Sequence, residues 1–156
     1  MKGQKKILDT LNALLADELT AINQYMVHSE MCANWGYDRL HQLVEKRAID
    51  EMKHAERLIG RILFLDGRPT VSKLNDIHIG AEVAEQLKND LADEVSAVKA
   101  YNNGIQIAVD ASDNGSRELL EAILKDEEEH LDKLEAQVGQ VEQIGMQNFL
   151  SEQLSE

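Results

Sequence analysis

Glutamate and histidine stand three positions apart twice in this chain, as Glu51-Met52-Lys53-His54 and as Glu127-Glu128-Glu129-His130. On a helix that spacing puts both side chains on one face, where a carboxylate and an imidazole can share a metal ion. The two copies are related by a shift of 76 positions, which carries Glu51 onto Glu127 and His54 onto His130. The same shift carries Glu18 onto Glu94 and Tyr25 onto Tyr101. Each tyrosine follows its glutamate by seven residues, two turns along the same helix face. Each half of the chain thus supplies two glutamates and a histidine. The repeat predicts two similar hairpins arranged about one central site.

The neighbours of these residues point them inward. Leu11, Leu15 and Ile22 surround Glu18, and Leu87, Leu91, Val98, Ile105 and Ala108 surround Glu94. Leu120, Ile123, Leu124, Leu131, Leu134 and Val138 flank Glu127 and His130. A helix that exposed its polar face would not set glutamate within an apolar stripe. Four buried carboxylates without partners would cost several kcal/mol each, whereas two divalent cations balance their charge. Carboxylate-rich ligation with one imidazole per metal suits iron or manganese better than zinc or copper. The charge balance of oxidising two ferrous ions favours a two-electron step with oxygen or peroxide as acceptor. Tyr25 reads either as an electron donor to the site or as a packed aromatic hydrogen-bonded to a glutamate.

Positioning these residues requires long helices. Apolar residues recur at helical spacing throughout, and no strand-like alternation persists. The sequence predicts helices over about residues 4–34, 38–66, 81–111 and 116–144, with Ser116 as the N-cap of the fourth and a short amphipathic fifth over 147–154. The first and third connections span a few residues and imply antiparallel hairpins. The second, from Gly67 to Gly80, reaches roughly 45–50 Å when extended, against about 42 Å for a 28-residue helix. It can cross the length of the bundle and make the second and third helices parallel. Two hairpins joined by one long crossover describe a ferritin-like four-helix bundle.

Composition narrows the function classes. The 156 residues suit a single domain with a full core, 43% of them hydrophobic. A formal net charge of −13 disfavours nucleic acid or an anionic membrane as the main partner. One cysteine, Cys32, excludes an internal disulfide framework. The N-terminus carries no apolar stretch of signal length, so a cytoplasmic location is expected. His28, His41 and His78 show no partner spacing and read as surface or core residues.

The segments Glu18-Leu19-Thr20-Ala21-Ile22-Asn23-Gln24-Tyr25, Ile49-Asp50-Glu51-Met52-Lys53-His54-Ala55-Glu56 and Asp126-Glu127-Glu128-Glu129-His130 resemble the bacterioferritin family. Arg61-Ile62-Leu63-Phe64-Leu65 and Gln147-Asn148-Phe149-Leu150 fit it too, so the resemblance covers essentially the whole chain. It implies a hollow shell of 24 subunits that oxidises ferrous iron and stores a ferric mineral. Within that resemblance Glu51 and Glu127 bridge two irons, while Glu18 with His54 and Glu94 with His130 terminate them. It also implies haem, held by Met52 from each of two subunits at a two-fold axis, with Ile22, Asn23 and Met26 lining the pocket. An iron–sulfur ferredoxin is the implied reductant for iron release.

Two positions depart from the family pattern. Lys46 stands where many bacterioferritins carry the histidine of an inner-surface iron site, and Glu45 where many carry a tyrosine near the haem. A peroxide-reducing, rubrerythrin-like di-iron protein is the competing reading. Such proteins usually add a four-cysteine electron-transfer module, for which Cys32 alone does not suffice.

Overall fold

The computed structural model describes residues 1–155. Four long helices, α1 (Lys5–Asn34), α2 (Asp38–Phe64), α3 (Val83–Asp110) and α4 (Asn114–Ile144), precede a short α5 (Met146–Ser151). The architecture is the expected four-helix bundle, with bounds that differ from the sequence reading at several ends. The α4 N-cap is Asp113 and not Ser116: the Asp113 carboxylate accepts from the Ser116 backbone N–H at 3.0 Å. Asp113 also accepts from Arg61 Nη2 at 2.8 Å, which ties the start of α4 to the end of α2. Helix α2 closes at Phe64 because Asp66 takes a left-handed φ of 56°. Helix α3 begins two residues later than expected, and α5 starts at Met146 after Gly145, whose φ is 82°.

Polar contacts fix the directions. Tyr25 on α1 bonds Glu94 on α3, and Tyr101 on α3 bonds Glu18 on α1, so these helices run antiparallel. His54 on α2 meets Glu127 on α4 while His130 on α4 meets Glu51 on α2, so this pair is antiparallel as well. With α1 and α2 forming a hairpin, α2 and α3 are parallel, and the segment 65–82 must travel the whole bundle.

That segment is laid along α1 by a ladder of side chains. Thr70 N donates to Asn12 Oδ1, Asn75 N to Thr20 Oγ1, His78 N to Gln24 Oε1 and Gly80 N to His28 Nε2, each at 2.8–2.9 Å. Both series ascend, so the crossover runs parallel to α1. A backbone segment without regular structure needs such partners for its N–H groups. His28 is buried and its Nδ1 lies 2.9 Å from Asp90 Oδ1, so one imidazole joins the crossover, α1 and α3. The end of the crossover must be glycine: a Cβ on Gly80 would lie 2.4 Å from the Gln86 amide nitrogen.

The apolar core divides into two parts. Leu11, Leu15, Leu58, Ile62, Leu120 and Ile123 belong to one cluster, while Leu40, Leu87, Leu134 and Phe149 belong to the other, which α5 helps to close. Between these layers the helices turn acidic residues inward. No helix among the described residues is long and apolar enough to cross a membrane.

Candidate metal centre

All six residues singled out by the repeat converge within the bundle. Glu18, Glu51, His54, Glu94, Glu127 and His130 are each at least nine-tenths buried. They form two overlapping groups, Glu18, Glu51, His54 and Glu127, and Glu51, Glu94, Glu127 and His130. Within each group the ligand atoms lie within 4.8 Å of one another. Glu51 and Glu127 belong to both groups, which is the geometry two adjacent cations with shared carboxylates require. The centroids of the His54 and His130 rings are 6.3 Å apart across this space.

Each imidazole turns Nδ1 inward. His54 Nδ1 lies 3.0 Å from Glu127 Oε1 and 3.6 Å from carboxylates of Glu18 and Glu51. His130 Nδ1 lies 3.1 Å from Glu51 Oε1 and 3.6 Å from Glu94 and Glu127. The outward nitrogens are anchored by carboxylates the sequence reading did not select. His54 Nε2 lies 2.9 Å from Asp126 Oδ2, and His130 Nε2 lies 3.0 Å from Asp50 Oδ2. A carboxylate behind a ligating histidine fixes the ring's tautomer and makes the facing nitrogen more basic. Asp50 and Asp126 are themselves separated by the same 76 positions, so the repeat contained the signal. Extending it by one residue on the N-terminal side of each Glu-x-x-His would have found them.

The tyrosines close the other side. Tyr25 donates to Glu94 Oε1 and Tyr101 donates to Glu18 Oε1, both at 2.5 Å, and both rings are buried. Burial, then the carboxylate each faces, raises both phenol pKa values well above 10. The Arg47 guanidinium, also buried, lies 5.3 Å from the Tyr25 ring centroid.

The protein's own groups leave ligand atoms of this centre unpaired. Glu18 Oε2, Glu51 Oε1, Glu94 Oε2, Glu127 Oε2 and His130 Nδ1 are buried without a hydrogen bond. These five atoms come from five of the six repeat residues, and such orphans are rare in folded proteins. Burial, with Glu18 and Glu127 adding repulsion, pushes the Glu51 pKa well up, and burial lifts Glu94 to about 7. Burial alone would lower the histidines, but hydrogen bonds to Glu127 and Glu18 carry His54 to about 11. The Glu127 and Glu94 carboxylates facing its ring carry His130 to about 10. Glu127 moves the other way despite its burial, because Glu94 and the two imidazoles beside it favour its ionised form. In effect, protons occupy positions that divalent cations could take. The donor set, carboxylate oxygens with one imidazole per group, matches iron or manganese.

A cavity of about 330 Å³ reaches the centre between α1, α3 and the crossover. Asp17, Asp93 and His78 line it together with Glu18, Glu94 and both tyrosines. Met52 lies elsewhere: it is 45% exposed on α2, as Ile49 is on the same helix and Met26 and Val27 are on α1. The structure therefore separates Met52 from the buried centre, as its angular offset from Glu51 requires. Ile22 and Asn23 are part-buried on the neighbouring helix, and the Asn23 side-chain amide is spent on the Leu19 carbonyl at 2.8 Å.

Known proteins bear the same arrangement of sequence. The ferritin-like domain family matches residues 8–144. A bacterioferritin of Rhodobacter capsulatus is 40% identical over 149 residues, covering 96% of this chain and 92% of the relative. One of Mycobacterium leprae is 39% identical over 155 residues, covering 99% and 98%. A bacterial ferritin of Synechocystis is 40% identical over 156 residues, covering 99% and 100%.

Proposed function

Because this chain belongs to the ferritin-like family and is a bacterioferritin relative along its length, we propose that it oxidises ferrous iron at the six-residue centre and stores the product. The observation that carries this reading is the set of orphaned, buried ligand atoms pointing into one space. Ferrous ions are the substrate. Two of them lose one electron each, and dioxygen takes up two electrons and two protons to give hydrogen peroxide. Hydrogen peroxide can serve as acceptor in the same way, giving two water molecules.

The chain's own residues take distinct parts in this scheme. Glu51 and Glu127, common to both ligand groups, hold the two ions side by side. Glu18 with His54 and Glu94 with His130 terminate them. Asp126 and Asp50 keep the imidazoles aimed, each through the outward ring nitrogen. Tyr101 and Tyr25 orient the terminal glutamates by hydrogen bonds, and Tyr25 is placed to stand in for one ferrous ion when only one is bound: that ion and the phenol would each give one of the two electrons dioxygen takes up, the phenol proton passing to Glu94 Oε1. The acidic cavity between α1 and α3 admits the cations.

Storage needs an enclosure, and the reading includes a homo-oligomeric shell of 24 subunits in the cytoplasm. Met26 and Val27 on α1 and Ile49 and Met52 on α2 are exposed apolar side chains that pairing of two subunits would cover. Met52, exposed on α2, would hold a haem together with its copy in a second subunit. The haem would supply a path for electrons from a small iron–sulfur ferredoxin to the stored mineral.

The test adds ferrous iron aerobically to metal-free protein and follows ferric absorbance. A fast phase that saturates near two irons per subunit, and disappears in Glu18→Ala and Glu127→Ala, supports the reading. Equal rates in all three proteins contradict it.

A further inference from the structure

The two buried tyrosines make the same hydrogen bond and differ in the charge beside the ring. Tyr101 donates to Glu18 Oε1 at 2.5 Å, as Tyr25 does to Glu94 Oε1. Over the Tyr25 ring lies the Arg47 guanidinium, its carbon 5.3 Å from the centroid. Arg47 is buried and its Nη2 has no hydrogen-bond partner, so its charge is incompletely answered. The 76-residue shift carries Arg47 onto Ile123, which packs in the apolar cluster that contains Tyr101. One tyrosine therefore has a cation where the other has a hydrocarbon.

That difference bears on which ring gives up an electron. When a phenol loses an electron and passes its proton to glutamate, the pair goes from one negative charge to none. Nearby carboxylates favour that change and a nearby cation resists it. The charges that act most strongly on the Tyr101 phenol are the carboxylates of Glu18, Glu127 and Glu51. At Tyr25 the carboxylates of Glu94, Asp90 and Glu51 are opposed by Arg47. The guanidinium also loses part of its attraction to the π electrons when one of them leaves. At such a separation, with an effective dielectric constant near 20, a unit charge shifts the step by about tenfold or more.

We propose that Tyr101 is an electron donor of the centre, oxidised in preference to Tyr25, when a single ferrous ion is bound. This rests on the reading of the centre as a ferroxidase. The ion and the Tyr101 phenol each give one electron to dioxygen, which takes two protons from water and leaves as hydrogen peroxide. The phenol proton passes to Glu18 Oε1, leaving a neutral tyrosyl radical and a ferric ion. A later ferrous ion returns one electron to the radical, and the proton goes back from Glu18 to the phenol. Arg47 holds Tyr25 in reserve.

The test adds substoichiometric ferrous iron to the metal-free, full-length protein in air, follows ferric absorbance, and measures the tyrosyl radical by electron paramagnetic resonance after rapid freezing. Tyr101→Phe is expected to lose most of the radical signal and Tyr25→Phe to keep most of it; each change removes one oxygen and leaves the ring packed. Adding Arg47→Gln to Tyr101→Phe should raise the remaining signal by about tenfold, whereas Arg47→Lys, which keeps the charge, should not. A radical undiminished in Tyr101→Phe, one equally diminished in Tyr25→Phe, or fast ferric absorbance with no radical in wild type overturns this proposal alone. No fast ferric absorbance overturns the ferroxidase reading, and the proposal with it.

Discussion

The two hairpins of this bundle carry the same ligands in different surroundings. Behind the centre, α1–α2 places Lys46 and Arg47, where the 76-residue repeat puts Ala122 and Ile123 in α3–α4. Arg47 is buried against the Tyr25 ring and Lys46 Nζ lies 3.2 Å from Asp50. Asp126, the counterpart of Asp50, is about half exposed. Tyr101 sits in the apolar core with Ile123. The duplicated positions are those that face the shared buried space, and the divergent ones surround it. A requirement to bind two cations would constrain both halves alike and leave each free to tune its neighbours.

The largest break of this likeness comes from a shared ligand. Glu51→Gln is expected to abolish binuclear metal binding, yet to raise the Tm of the metal-free protein by removing one of four crowded carboxylates. Differential scanning calorimetry with and without Mn2+ reads both effects. A lower Tm of the variant without metal would show that the carboxylates are not held in repulsion.

Removing the anchors compares the halves directly. Asp126→Asn and Asp50→Asn should each weaken metal binding by about 10–100-fold. The Asp126 change should cost more, because Asp50 already shares its charge with Lys46. Isothermal titration with Mn2+ ranks them, and the reverse order would mean that Lys46 strengthens the anchor.

Titration tests the centre as a whole. Glu51, Glu94, His54 and His130 bind protons more tightly when folded than when unfolded. Their contribution is full at low pH and is lost as pH rises, through about 7 for Glu94 and about 10 and 11 for His130 and His54. The Tm of the metal-free protein should therefore fall from pH 5 to pH 9. Cations compete with those protons, so the stabilisation by Mn2+ should grow over the same range. A metal-free Tm that rises with pH would contradict these protonation states.

The smallest effect lies outside the centre. Asp113→Ala removes the α4 N-cap and the Arg61 contact, and should cost about 1–2 kcal/mol. Chemical denaturation measures it, with no change expected in metal stoichiometry.

The repeat in the sequence disclosed all six residues that converge in the bundle, because a shared metal site would require particular residue types at particular helical spacings. Four helices and the long crossover were legible from glycine, proline and apolar periodicity. The Asp113 cap was harder to read, because Ser116, three residues on, is itself a good capping residue and Arg61 is remote in sequence. The docking of the crossover through Asn12, Thr20, Gln24 and His28 had no pattern of its own: these residues pair with backbone groups, which any sequence presents. His41 illustrates the same limit, since the Ser29 carbonyl its ring meets belongs to another helix.

The most direct measurement is anomalous diffraction from crystals loaded anaerobically with ferrous iron. The account predicts two peaks per subunit between Glu51 and Glu127, one beside His54 and Glu18 and the other beside His130 and Glu94. No iron there, or a single ion bound without both bridging glutamates, would contradict it.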